Sequence, residues 1–171
     1  WETERFSAVY HKPPKGTVGA SKSLLSVLKL AKEREYKNVL IFQDDFTFLE
    51  SKEVVETELQ KLFELKPDFD VCMLAYKLNH SVPENDFLIK VLHAQTATAL
   101  LVNGHYYDTL IELYTESTPK LEMTMQHWLY ACDTVWKSLM ERDNWYCFNK
   151  RLGKQRPSWS DCGNSFVDRG L

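Results

Sequence analysis

Asp44 and Asp45 are the residues whose type and spacing best suit chemistry: adjacent carboxylates that follow Gln43 and the apolar run Val39-Leu40-Ile41-Phe42. Paired acids at a strand end can share a divalent cation or accept a hydrogen bond from a ribose, and they can equally close a strand in a solvated turn. Far along the chain, Lys154, Arg156, Ser158 and Ser160 offer the complementary groups, two cations and two hydroxyls suited to phosphate oxygens. Taken alone that tail reads as a solvated surface; taken with the acids it suits metal-assisted handling of a diphosphate.

The acids need an element to deliver them. Val39 to Phe42 has the β-branched and aromatic content of a strand buried on both faces, and Glu33 to Lys37 reads as the polar end of a preceding helix. The spacing predicts that helix over Gly19 to Lys32, with Leu24, Leu28 and Ala31 on its buried face, Lys22, Lys29 and Lys32 off it, and Ser21 or Ser23 bonding locally near its start. Before it, Phe6 to Tyr10 reads as a strand and His11 to Gly16 as a proline-stiffened loop. After the acids, Ser51 can cap a second helix that ends at Pro67, and Phe69 to Ala75 reads as the next buried strand. The stretch Tyr76 to Asp86 reads as a loop or lid. Phe87 to His93 and Thr96 to Val102 read as separate strands, Tyr106 to Tyr114 and Leu121 to Met140 as helices, and Asn144 to Phe148 as a short strand. Alternating helices and strands predict a single α/β domain over residues 1–171.

Composition narrows the function. A chain of 171 residues, 44% hydrophobic and 26% charged, has the make-up of one ordinary soluble globule. A formal net charge of −3 with no dense basic stripe argues against a general nucleic-acid surface. No apolar run approaches the roughly 20 residues that span a bilayer, and no signal-peptide pattern opens the chain, so a cytoplasmic setting is expected. Cys72, Cys132, Cys147 and Cys162 form no CxxC pair and read as reduced core residues rather than zinc ligands. His93 and His127 could complete a metal site, although lone histidines are more often core or surface residues. Tyr106, Tyr107, Trp128 and Trp136 could stack on a sugar or base but sit at core-like spacing, and Trp159, beside the basic tail, is the best stacking candidate.

Arg5-Phe6-Ser7-Ala8, the Lys15 to Ser23 stretch with Gly16 and Gly19, the strand ending Gln43-Asp44-Asp45, Ala94 to Ala99, Asp133-Thr134-Val135-Trp136 and Gln155 to Asp161 form an ordered set of segments. Together they resemble glycosyltransferase family 25, particularly members encoded by large DNA viruses. The resemblance implies a GT-A-like fold with a mostly parallel central sheet flanked by helices. It also implies transfer of a hexose, often galactose from UDP-galactose, with inversion, to a hydroxyl of a glycan or glycoprotein. Carried over by position, Asp45 ligates Mn²⁺ or Mg²⁺, Asp44 contacts the ribose or the metal, and Gln155, Arg156, Ser158 and Ser160 hold the donor. Asp133 is the candidate base for the acceptor hydroxyl, and it could instead cap or pair within a helix. The family's first strand and Arg-rich turn would lie before Trp1, so the chain is expected to be N-terminally truncated and to lie in the host cytoplasm or virion if viral.

Gln43 stands where the family usually has Glu, and Leu24 follows Ser23 where His is usual. These departures give a second reading, a catalytically silent nucleotide- or carbohydrate-binding module of the same fold. A metal-dependent phosphoesterase is a third, without the extra His and Asp clusters of two-metal sites.

Overall fold

A computed structural model describes residues 1–12, 15–160 and 165–168. In chain order the elements are α1 (Gly16–Glu33), β1 (Asn38–Phe42), β2 (Phe46–Phe48), α2 (Lys52–Leu65), β3 (Val71–Pro83) and β4 (Leu88–Asn103). A 3₁₀ turn, Gly104–Tyr106, leads into α3 (Tyr107–Thr124), and three one-turn helices follow: α4 (His127–Tyr130), α5 (Cys132–Val135) and α6 (Lys137–Met140). Four short strands close the chain, β5 (Trp145–Phe148), β6 (Gly153–Gln155), β7 (Ser158–Ser160) and β8 (Ser165–Val167). The class is mixed α/β.

The central sheet has the order β1-β4-β3-β5. Its β1–β4, β3–β4 and β4–β5 pairings are antiparallel and its β3–β5 pairing is parallel. The sheet is therefore mixed, which corrects the expectation of a mostly parallel one. The reason lies in Tyr76 to Asp86, expected as a loop: β3 runs on to Pro83 and turns straight into β4. Such a short connection can join only antiparallel neighbours, since a parallel crossover needs a dozen residues or more. Strand directions nonetheless agree for β1, β3 and β5, because β4 opposes each of them. Asp44 and Asp45 thus follow the carboxyl end of a strand whose neighbours two places away point the same way.

Both faces of the sheet are covered. Val39 and Ile41 of β1 join a core built with Leu24 and Leu28 of α1 and Tyr107, Leu110 and Tyr114 of α3, while Leu40 and Phe42 join another with Val55 and Leu62 of α2. This alternation is the period-2 signature of a strand between two layers. The burial of β1 is only intermediate, however, because β4 is its one neighbour in the described sheet and its other edge is open. Where burial on both faces was expected, edge exposure sets the limit.

Other boundaries shift for identifiable reasons. α1 begins a turn early, so Gly16 and Gly19 lie inside it rather than in a turn before it. Phe6 to Tyr10 forms no strand. This segment lies against α1 instead: Val9 N donates to Ser23 Oγ at 2.8 Å, and a Cβ on Gly19 would stand 2.5 Å from Val9 O. Ser23 bonds to the backbone near the start of α1 as expected, although no side chain caps the helix. Ser21 Oγ accepts from Cys132 N at 3.3 Å, tying α1 to α5, and Ser23 Oγ also donates to Gly19 O. Ser51 does cap α2, accepting from Val54 N at 3.4 Å. The expected helix over Leu121 to Met140 is broken, because Met125 adopts a left-handed conformation (φ 57°) that ends α3. The two expected strands around Ala94-Gln95 are one strand, β4, with an irregularity inside it. Cys72 and Cys147 are buried free thiols, Cys132 is buried, and Cys162 lies outside the described residues. Among the described residues no helix is long and apolar enough to cross a membrane.

Candidate functional site

The acid corner is built by a short second sheet. After β1 the chain turns through Gln43 to Asp45, closed by Phe46 N donating to Gln43 O at 3.1 Å, and β2 then pairs antiparallel with β6, matching Phe46 with Gln155, Thr47 with Lys154 and Phe48 with Gly153. Pairing across more than a hundred positions of sequence therefore sets the tail beside the acids.

Gly153 is what lets β6 approach so closely. A Cβ there would fall 2.1 Å from the Phe46 ring and 3.0 Å from Thr47 O. The ring cannot simply swing away, since it stacks on Phe42 at 4.6 Å and meets Phe48 edge-on at 4.8 Å. Gly153→Ala is expected to destabilise the fold by about 1–3 kcal/mol, the usual range for overpacking, and to loosen the corner with it. Urea titration measures the first effect, and hydrogen exchange at the Arg156 amide measures the second.

Asp45 is the centre of the arrangement. Its Oδ2 accepts from Gln155 Nε2 at 2.6 Å and from Ser158 Oγ at 3.3 Å, and its main-chain carbonyl accepts from Arg156 N at 2.8 Å. Its Oδ1 is buried and has no partner among the described residues. Asp44 is exposed, and its carbonyl rather than its carboxylate accepts from Arg156 Nη2 at 3.0 Å. The guanidinium is exposed and has further N–H groups to offer an anion. Asp44, Asp45, Gln155, Arg156 and Ser158 are thus brought together. Ser160 lies on the β7–β8 ribbon in register with Ser165, on the same side as Ser158 by strand alternation. Asp161 lies outside the described residues.

Asp133 stands elsewhere. It lies in α5, which packs on α3, α4 and β4, and its charge acts on the fully buried Tyr114 hydroxyl, which burial first and Asp133 in part hold well above the usual tyrosine range. No hydrogen bond or ion pair joins it to Asp44 or Asp45 among the described residues. His93 pairs with His80 across β3–β4, and His127 meets the Trp128 ring edge-on; neither bonds to the carboxylates. Tyr106, Tyr107 and Trp136 are buried core residues, whereas Trp128 and Trp159 are both 61% exposed. Among the described residues no group of three or more His, Cys, Asp or Glu is assembled.

The structure adds residues that the sequence reading missed. Gln43 N donates to Thr98 O at 2.8 Å, and the fully buried Thr98 hydroxyl reaches Gln43 Oε1 at 3.4 Å. This contact extends the β1–β4 ladder past Phe42 and holds the turn that carries the acids. It depends on a bulge: Lys77 pairs with Gln95 and Ala75 with Ala99, so Tyr76 alone faces Thr96, Ala97 and Thr98. Thr96 takes φ 87° there, a strained conformation for a β-branched residue. Arg151, which follows β5, lies over the Tyr76 ring at 5.0 Å and donates to Tyr76 O at 3.1 Å. Nothing in the residue types signals the bulge, since Thr is among the residues least expected at positive φ.

Compared with known proteins, the chain matches no protein-family model and no curated sequence.

The corner fits a divalent cation by its donor set. A carboxylate with one oxygen held by neutral donors and the other buried without a partner is suited to a hard cation, and the exposed Asp44 carboxylate lies one residue away.

Proposed function

We propose that this corner is the donor site of a metal-dependent inverting glycosyltransferase of the family 25 type, with a GT-A-like fold, moving a hexose from a nucleotide-diphosphate sugar such as UDP-galactose to a hydroxyl of a glycan or glycoprotein. One observation carries the reading. The acids of the β1 turn and the Gln155-Arg156-Pro157-Ser158 segment, joined in sequence only by resemblance, are bonded to each other through Asp45. Asp45 and Asp44 hold the cation in this account. Arg156 and Ser158, with Ser160 beside them, supply donors to the diphosphate, and Lys154 supplies a further charge. Gln155 orients the Asp45 carboxylate.

The silent-module reading is favoured by a specific observation as well. Asp133, the residue assigned to take the acceptor's proton, acts on the Tyr114 hydroxyl and makes no bond to the corner among the described residues. The two readings separate in an assay of UDP-galactose with Mn²⁺ and a library of glycan and glycopeptide acceptors, read by mass spectrometry. Glycosylated product is the expected result. Donor binding without product for any acceptor would favour the silent module, and hydrolysis of the donor to UMP and galactose 1-phosphate would favour a phosphoesterase.

A further inference from the structure

Two buried oxygens at the corner lack donors. One is Asp45 Oδ1; the other is Gln155 Oε1, likewise buried and without a partner among the described residues. They belong to side chains locked together by the 2.6 Å bond from Gln155 Nε2 to Asp45 Oδ2. That bond fixes which end of the amide is which. A carboxylate oxygen can only accept, so the group facing it has to be the NH₂, and the amide oxygen is the end left without a donor.

A ligand N–H would relieve one of them, and a water, with its two O–H groups, could bridge both. A hard cation relieves both together, because carboxylate and amide-carbonyl oxygens are its preferred ligands. The second glutamine at the corner behaves differently. Gln43 Oε1 is engaged by the Thr98 hydroxyl, so its amide is spent on holding the turn. With no third His, Cys, Asp or Glu gathered among the described residues, the cation needs an oxygen ligand of another kind.

We propose that Gln155 is a direct metal ligand, its Oε1 joining Asp45 Oδ1 on the divalent cation. This rests on the metal-corner reading, and it changes the role of Gln155 there from an orienting group to a member of the coordination shell. A neutral ligand adds no further negative charge to a cation already matched by two aspartates, and leaves the Arg156 guanidinium to meet the anionic diphosphate.

The test is a titration of Mn²⁺ into the full chain without nucleotide, following the electron paramagnetic resonance of free Mn²⁺, with circular dichroism showing that each variant is folded. Asp45→Ala and Gln155→Ala are each expected to weaken Mn²⁺ binding by about tenfold or more. Gln155→Cys places a soft ligand at the same point. It is expected to shift preference toward Cd²⁺ by about tenfold or more relative to Gln155→Ala, an effect that Asp45→Ala in the same chain abolishes. If Gln155→Ala binds Mn²⁺ like the parent while Asp45→Ala does not, the ligand assignment is overturned and the metal corner stands. Equal Cd²⁺ preference in Gln155→Cys and Gln155→Ala would overturn it too, leaving Gln155 as an orienting group. Failure of the parent chain to bind Mn²⁺ would overturn both the assignment and the metal-corner reading.

Discussion

Trp136→Ala is expected to cost about 3–5 kcal/mol of folding stability, the range seen when a large aromatic is cut out of a core. Trp136 is completely buried and meets the Trp145 ring at 5.3 Å, and Trp145 in turn stands edge-on to Tyr106 at 6.3 Å. These rings fasten the one-turn helices to β5 and to the start of α3. Collapse cannot refill the space easily, because the walls come from several elements. The indole N–H also donates to Ala94 O at 3.3 Å, so the substitution leaves a buried carbonyl short of a donor as well as opening a cavity. Ala94 lies just before the bulge that carries Thr96 and Thr98, so part of the damage should reach the acid corner. For a chain of this size the loss corresponds to a fall in Tm on the order of 10 °C. A drop in the urea midpoint at constant slope is the expected readout, and a loss under about 1 kcal/mol would mean that the aromatic cluster is not the keystone described here.

What could be read from the sequence divides by range. Local signals held: α1 with its buried face, α2 with its Ser51 cap, β1 ending at the acids, and β5 are all present near their expected places. These depend on helical periodicity, capping chemistry and short apolar runs, each legible within a dozen residues. Pairing was not legible. Tyr76 to Asp86 has the Asn, Ser and Pro content of a loop, yet it extends a hairpin whose partner strand supplies the stability that its composition lacks. The left-handed residues behave likewise, since Met125 and Thr96 take φ 57° and 87° although neither residue type favours φ > 0.

The candidate site shows the same division. Asp44 and Asp45 were chosen by chemistry, and the tail residues by chemistry with resemblance. Their meeting comes from the β2–β6 pairing, which no short-range pattern could supply. Gly153 carried a signal that went unused, a glycine in a short polar strand, which marks close backbone approach. Asp133 was chosen by resemblance alone, and its neighbours are those of a residue near the α3 core. The identity of the other Asp45 partners, Gln155 through its amide and Ser158 through its hydroxyl, became chemically specific only with the geometry.

Asp45→Ala carries the largest expected functional effect. It removes the one carboxylate that the tail grips and the buried oxygen left for a cation, while Asp44, exposed and bonded only through its main chain, cannot take over that position. Removal of such a ligand is expected to weaken cation-dependent donor binding by about a hundredfold, or beyond detection. Stability should change far less than in Trp136→Ala, because the deleted group leaves Gln155 and Ser158 half-exposed and able to rebond to water.

The most direct measurement is calorimetric titration of UDP-galactose into the parent chain and into Asp45→Ala, each with Mn²⁺ and again with excess chelator. The account predicts binding by the parent with Mn²⁺, its loss on chelation, and no metal-dependent component in Asp45→Ala. Equal binding with Mn²⁺ and with chelator, or a metal-dependent component that survives in Asp45→Ala, would contradict it.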